Sequence, residues 1–248
     1  MKQERRVAII TGGARGIGRA IANALSATGI VSVIADVDLE TAEKAAEDIR
    51  KTGAEAVAIK VDLSQPEQIA RLVSETVSRY GRLDILINNA GILSNTPYDL
   101  ITESEWDRVL DINLKGVLFA SREALKPMIA QGWGRIISIS SLAGRNGGVS
   151  IGPAYAASKA AIIGLTRHLA KKVARNGITV NAVAPGTTET DIIKGFSDEQ
   201  MRAINESIPL GRLGKPEEIA ATVAFLASEP AAFITGAVID INGGMYMG

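Results

Sequence analysis

The chain is expected to fold as α/β, with one doubly wound sheet of seven parallel strands and helices on both faces. Three observations carry that expectation. Short apolar segments rich in Val and Ile recur along the sequence, and continuous apolar runs of that length fit strands buried on both sides. Longer amphipathic stretches separate them, and strands alternating with helices build a parallel sheet. No repeat, low-complexity tract or linker divides the 248 residues, a length that α/β folds commonly fill as a single domain.

The strands are placed at Val7–Thr11, Val31–Asp36, Ala56–Val61, Ile85–Asn88, Ile136–Ser140, Thr179–Ala184 and Val238–Ile241. Helices fill the gaps. Ser64 with Glu67 and Thr102 with Glu105 have capping-box spacing, and Pro216 followed by Glu217 and Glu218 makes a favourable helix start. Long helices with broad apolar faces are read around Glu105–Gln131 and Tyr155–Asn176. The stretch from Thr187 to Gly214 breaks the rhythm. It mixes turn residues with an amphipathic piece, Asp198–Ser207, and reads either as a lid over a site or as a long surface connection.

Composition removes several functions. The 27 Lys and Arg balance the 27 Asp and Glu with no basic stripe, so nucleic acid is not an expected partner. The absence of cysteine removes disulfides, thiol nucleophiles and thiolate-bound metals, and agrees with a reducing, cytoplasmic setting. His168, the sole histidine, sits mid-helix without a second histidine to share a zinc ion, so it is read as structural and no metal is expected. No apolar run approaches membrane-spanning length, and "MKQERR" leads into the first strand without a secretory signal.

Open parallel sheets bind ligands beyond the carboxyl ends of their strands. There, "TGGARGIG" places Gly12, Gly16 and Gly18 in a strand-to-helix turn, with Arg15 and Ile17 between them. Such a turn aims backbone N–H groups and the positive helix end at one spot. Its Gly12-x3-Gly16-x-Gly18 spacing differs from G-x-G-x-x-G, so the turn alone fits a bound pyrophosphate or a purely structural bend. Asp36 closes the second strand about eighteen residues later, near where dinucleotide folds place a carboxylate on ribose hydroxyls. A carboxylate there accepts from a free 2′-OH and repels a 2′-phosphate, which favours NAD over NADP. Arg15 could pair with such a phosphate, pair with Asp36, or face solvent. Asp36 also suits the lead into a helix before Leu39.

Later strand ends supply Asp62 and Leu63, "NNAG" at Asn88–Gly91, Ser140 and Ser141, and "PGTTET" at Pro185–Thr190. Tyr155 and Lys159 stand one helical turn apart. A neighbouring ammonium lowers a tyrosine's pKa from about 10 and lets it exchange a proton near neutrality, although any helix can carry such a pair on its surface.

Together these motifs resemble the short-chain dehydrogenase/reductase family over nearly the whole chain, through "TGGARGIG", "NNAG", "DINLKG", "GRIISISS", "YAASK", "VNAVAPG" and "ITGAVIDINGG". The resemblance implies a Rossmann-type fold and an NAD(P)-dependent enzyme that moves hydride between nicotinamide and a carbonyl or secondary alcohol. It implies that Tyr155 is the general acid/base and that Lys159 binds the nicotinamide ribose while lowering the tyrosine's pKa. Ser141 would orient the substrate oxygen, with Ser140 the neighbour that a one-residue slip would substitute. Asn113, in "DINLKG", would hold a relay water. Asp62 and Leu63 would flank the adenine, and Asn89, Ala90 and Gly91 would line the cofactor's ribose. Thr190 and the backbone near Thr188 would hold the carboxamide, with Pro185 and Gly186 completing the cofactor set.

The walls of the substrate pocket are expected at Ser94–Thr96, Leu142–Pro153 and the segment from Thr187. Arg145, in that second wall, reads either as a binder of carboxylate or phosphate or as a solvated loop residue. Many family members are 3-oxoacyl-acyl-carrier-protein reductases, which typically use NADPH and place arginines beside the site to dock the acidic carrier. Those two positions read Gly132 and Asn176 here, with Arg175 one step away. Together with Asp36 this points to NAD as preferred cofactor, NADP being possible, and to a small secondary alcohol, polyol or 3-hydroxyacyl substrate. The alternative is an NADPH-dependent 3-oxoacyl-(acyl-carrier-protein or CoA) reductase. The family also implies a homotetramer, in which the two long helices pair across a twofold axis and the C-terminal strand makes a second contact.

Overall fold

In a computed structural model describing residues 5–148, 151–190 and 197–248, the strands are β1 (Val7–Thr11), β2 (Val31–Asp36), β3 (Ala56–Lys60), β4 (Ile85–Asn88), β5 (Gly134–Ile139), β6 (Ile178–Pro185) and β7 (Val238–Ile241). They form one parallel sheet in the order β3-β2-β1-β4-β5-β6-β7. β1 pairs with β2 on one side and β4 on the other. The sheet therefore grows in opposite directions from β1, which makes the carboxyl end of β1 the crevice where such sheets take ligands.

Helices α1 (Gly16–Ala27), α2 (Leu39–Lys51) and α9 (Pro216–Leu226) cover one face, and α3 (Pro66–Tyr80), α5 (Gly116–Gln131) and α7 (Pro153–Val173) cover the other. Strand side chains alternate between the two layers, as the pleat requires. Ile10, Ile34, Ile87 and Ile137 enter a core with Leu25, Ile49, Ile219 and Val223. Ile9, Val33, Leu86 and Ile136 enter the second, with Leu72, Met128 and Val173. Each such side chain, fully buried, contributes about 1.5–3 kcal/mol, so the two layers together stabilise the sheet whose carboxyl edge carries the ligand crevice.

Three local expectations change. Ser64 does not cap a helix; its hydroxyl and its amide both donate to Asp62 Oδ1, at 2.8 and 2.9 Å, and α3 instead starts at Pro66 with Gln65 as N-cap. Thr102 does cap, accepting from the Glu105 amide at 3.2 Å, but the Glu105 carboxylate turns away from the helix. The long helix expected over Glu105–Gln131 is two helices, α4 (Glu103–Leu110) and α5, joined by a π-helical turn at Asp111–Lys115. Gly116 ends that turn because a Cβ there would lie 3.0 Å from both the Cβ and the carbonyl oxygen of Leu63.

Between β5 and α7 lies the short α6 (Ala143–Asn146). The expected amphipathic piece forms as α8 (Asp198–Ser207), with a full capping box between Ser197 and Gln200. Thr188 and Gly214 close the base of the 187–214 segment as a parallel bridge, with Gly214 N donating to Thr187 O at 3.0 Å and Glu189 N to Gly214 O at 2.9 Å. Residues 191–196 of the expected lid, and 149–150 of the expected pocket wall, lie outside the described residues.

Candidate active site at the carboxyl edge of the sheet

The glycine turn is built to bring backbones together. Gly12 and Gly16 have φ of +61° and +52°, a region side chains other than glycine rarely adopt. A Cβ on Gly18 would stand 2.1 Å from the Gly12 carbonyl oxygen, and one on Gly12 would stand 2.8 Å from Ala90 Cα. No side chain caps the start of α1, so its first N–H groups remain to receive an anion. Thr11, buried at the last position of β1, ties this turn to β4: its hydroxyl accepts from Asn89 N and Ala90 N and donates to Ile87 O. Asn89 returns the contact through its amide to the carbonyls of Thr11 and Gly12, at 3.0 and 2.9 Å. Sequence reading missed Thr11, whose signal is a polar residue closing an apolar strand.

Asp36 ends β2 beside the turn, accepting from Ala14 N at 3.2 Å and from Asp38 N at 3.1 Å. Of the readings open to Arg15 the solvent-facing one holds, its side chain being 60% exposed, but it also forms an ion pair with Asp38 and donates to Thr41 Oγ1. The Thr41 hydroxyl and amide, more than Arg15, hold the Asp38 carboxyl below the usual carboxylate range. At the end of β3 the two expected adenine neighbours part: Asp62 stays at the rim, held by Ser64 and Gln68, while the Leu63 side chain is buried against Gly116.

Next to this turn, Ser140, Ser141, Tyr155, Lys159 and Asn113 converge. Ser140 is buried and its hydroxyl donates to Lys159 O at 2.7 Å. It is committed to holding α7, which leaves Ser141, whose hydroxyl accepts from Ala143 N at 3.1 Å, as the serine that acts on the Tyr155 phenol. Lys159 is buried, donates from Nζ to Ile139 O at 2.8 Å, and lies 5.6 Å from the centroid of the Tyr155 ring. Burial pulls its ammonium down to about 8. Tyr155 does not follow the expectation that Lys159 lowers it. Burial pushes the phenol above its ordinary value, and the opposing pull comes from Ser141.

Asn113 owes its place to the π turn. Its Oδ1 accepts from Ile92 N at 2.8 Å, and its Nδ2 donates to Ile92 O at 2.9 Å and to Ser158 Oγ at 3.2 Å. A Cβ on Gly91 would lie 3.1 Å from Asn113 Oδ1 and 3.4 Å from Lys159 Nζ, so glycine at this position lets the three meet. From the far side, Pro185 O accepts from Leu142 N, Gly186 N donates to Ile241 O, and Thr188 Oγ1 donates to Gly186 O. Thr190 reaches back to the glycine turn, its Cγ2 3.4 Å from where a Gly16 Cβ would be.

Several candidates take other roles. The Ser94 and Thr96 hydroxyls both donate to Glu105 Oε1, each at 2.8 Å. Arg145 neither awaits a ligand nor sits in solvent; it is 13% exposed, forked onto Asp240 at 2.9 and 2.7 Å, and lies 5.2 Å from the Tyr246 ring. Gly132 and Asn176 precede β5 and β6. They therefore lie at the opposite edge of the sheet, about 20 Å from Ser141 along β5, and do not border this chain's own site. His168 is exposed on α7. Among the described residues no group of His, Cys, Asp or Glu could hold a metal ion, and no helix is long and apolar enough to cross a membrane.

A short-chain dehydrogenase family model described as enoyl-(acyl carrier protein) reductase matches residues 12–246. The chain belongs to the short-chain dehydrogenase/reductase family. It is 42% identical over 247 residues to the 3-oxoacyl-[acyl-carrier-protein] reductase FabG of Aquifex aeolicus, covering 99% of each chain. It is 41% identical over 249 residues to the enzyme of that name from Escherichia coli, covering 100% of each. The crystal structure of a Beutenbergia cavernae protein, provisionally named an NAD(P)-dependent gluconate 5-dehydrogenase, superposes with a TM-score of 0.91 at 36% identity, over 97% of this chain and 96% of that one. As a member of this family the chain is an NAD(P)-dependent oxidoreductase acting on CH–OH groups. The close-packed glycine turn, the uncapped start of α1 and the carboxylate at the end of β2 fit a dinucleotide.

Proposed function

We propose that this chain interconverts a 3-oxoacyl thioester and its 3-hydroxyacyl partner, and that it prefers NAD(H). The substrate class rests on the full-length likeness to enzymes named 3-oxoacyl-[acyl-carrier-protein] reductase. That likeness favours the second of the two substrate readings over a general alcohol or polyol. Gly132 and Asn176 no longer weigh against it, since those positions lie away from the pocket and bear only on how a carrier docks.

The cofactor preference rests on Asp36. Its carboxylate stands at the end of β2 with lone pairs left for ribose hydroxyls, and Arg15 is drawn off by Asp38 rather than offered to a 2′-phosphate. When bound, the nicotinamide supplies or accepts the hydride. The amides of Gly12–Gly18 hold the pyrophosphate. Tyr155 passes its hydroxyl proton to the substrate oxygen as the carbonyl becomes an alcohol, and takes it back in the reverse direction. Ser141, the serine that acts on the Tyr155 phenol, orients that oxygen. Lys159, at about 8, exchanges protons close to neutrality, while Asn113 fixes the wall beside it. We further propose a homotetramer, supported by Leu118 and Ile129 exposed on α5.

The test is the absorbance of reduced nicotinamide with acetoacetyl-CoA as oxidant, NADH being compared with NADPH, alongside NAD⁺ with gluconate and simple polyols. Thioester reduction favoring NADH is the expected result, and Asp36→Ala should erode that preference about tenfold. Turnover of polyols without turnover of the thioester would reverse the substrate assignment. A parental preference for NADPH would reverse the cofactor assignment.

A further inference from the structure

We propose that Glu105 is a positioning residue for the Tyr155 proton donor and for the substrate-facing loop after β4. The inference rests on the role given to Tyr155 above. Glu105 is in the first turn of α4, and its backbone serves the ordinary end of that helix, its amide donating to Thr102. Its carboxylate does something else. One oxygen, Oε1, accepts from both Ser94 Oγ and Thr96 Oγ1 at 2.8 Å. Hydrogen bonds to a charged acceptor are the strong ones, and two on one atom fix the course of the loop between them.

That loop in turn holds the start of α7. Ser94 O accepts from Gly152 N at 2.8 Å, and Gly152 is the N-cap residue of α7. The packing leaves no slack. A Cβ on Gly152 would stand 2.7 Å from Thr96 O and 2.8 Å from Ser94 Oγ. Tyr155 follows three residues after Gly152, in the first turn. A helix start is where the backbone frays most readily, and this one carries no side-chain cap of its own. The chain of contacts thus runs from the Glu105 carboxylate through Ser94 and Thr96 to the Gly152 amide, and from there to the phenol. Ser94 and Thr96, expected in a wall of the substrate pocket, give their hydroxyls to Glu105.

Misplacing a reacting group by about 1 Å costs up to about a hundredfold in rate. Glu105→Ala should therefore lower kcat at least about tenfold. NADH affinity, read by quenching of intrinsic fluorescence, should stay within about twofold, because the glycine turn makes none of these contacts. Glu105→Gln keeps an acceptor oxygen and should recover most of the rate. Ser94→Ala combined with Thr96→Val should reproduce the loss, and adding Glu105→Ala to that pair should cost nothing further, since neighbours in one network are not additive. Activity per folded molecule is measured well below the melting temperature, so a purely structural role would leave kcat unchanged. If Glu105→Ala fails to fold, the Ser94/Thr96 pair carries the test alone. A kcat within about twofold of the parent in either variant overturns the proposal. Tyr155→Phe separates this failure from failure of the site itself: undiminished turnover there removes the donor that Glu105 is said to position.

Discussion

Burying an ammonium carries a cost, and Lys159 bears it. Its pKa stands near 8 in the folded chain against an ordinary 10.5, a difference equivalent to about 3 kcal/mol. The unfolded chain binds the extra proton between those values, so stability from this group rises as pH climbs from about 8 to about 10.5 and is lowest below that window. Lys159→Met should abolish turnover yet raise stability at neutral pH by about 2 kcal/mol, allowing for the partner that Ile139 O loses. In thermal melts the gap between variant and parent should close as pH rises through that window; a gap independent of pH would mean that Lys159 binds its proton equally well in the folded and unfolded chains. Residue identity showed the polar set at the strand ends, from Asp36 to Thr190, but not whom each residue would bond. Arg145 was open to two readings because its partner, Asp240, lies 95 residues away. Ser94–Thr96 reads as a pocket wall, but nothing in its own neighbourhood announces that Glu105 takes both hydroxyls.

At the scale of elements, the strands were legible almost to their ends, because parallel strands buried on both faces leave uninterrupted apolar runs. Only the entry to β5 was placed two residues late, since Gly134 and Arg135 carry no apolar signal. Helix interiors were legible too, yet the π turn at Asp111–Lys115 was not. Periodicity is read over several turns, and one wide turn leaves the average nearly unchanged. The function of that turn is to set Asn113 beside Ile92 and Gly91, a demand from a neighbouring element rather than from "DINLK" itself. The glycine turn yields the sharpest expectation at this scale. With Gly12 O 2.1 Å from a Cβ on Gly18, Gly18→Ala must push α1 away from β1. A loss of about 1–3 kcal/mol in denaturant unfolding is expected, with NADH affinity falling about tenfold or more. Unchanged cofactor binding would mean the pyrophosphate is held elsewhere.

For the whole molecule, two cores on the faces of a single sheet hold the site in place, and the exposed Leu118 and Ile129 of α5 supply the proposed surface for assembly. Analytical ultracentrifugation should find a tetramer at micromolar concentration, and substituting Leu118 and Ile129 with Lys should shift it toward smaller species. A monomer that persists at every concentration would refute the assembly. The bridge between Thr188 and Gly214 bears on a different matter, the history of the family's substrates. It pins both ends of the segment between them at the sheet's edge, and within that segment Leu210 N donates to Gly243 O. Lengthening a loop whose ends are already held costs only about 0.6 kcal/mol per doubling. Between Thr190, which touches the glycine turn, and Ile208, which packs on Gly243, the stretch is thus a replaceable cassette: it can be shortened, extended or exchanged for a relative's without disturbing β6, β7 or the proton-transfer cluster. New substrates can be acquired by rewriting that one stretch while the hydride-transfer frame is inherited whole.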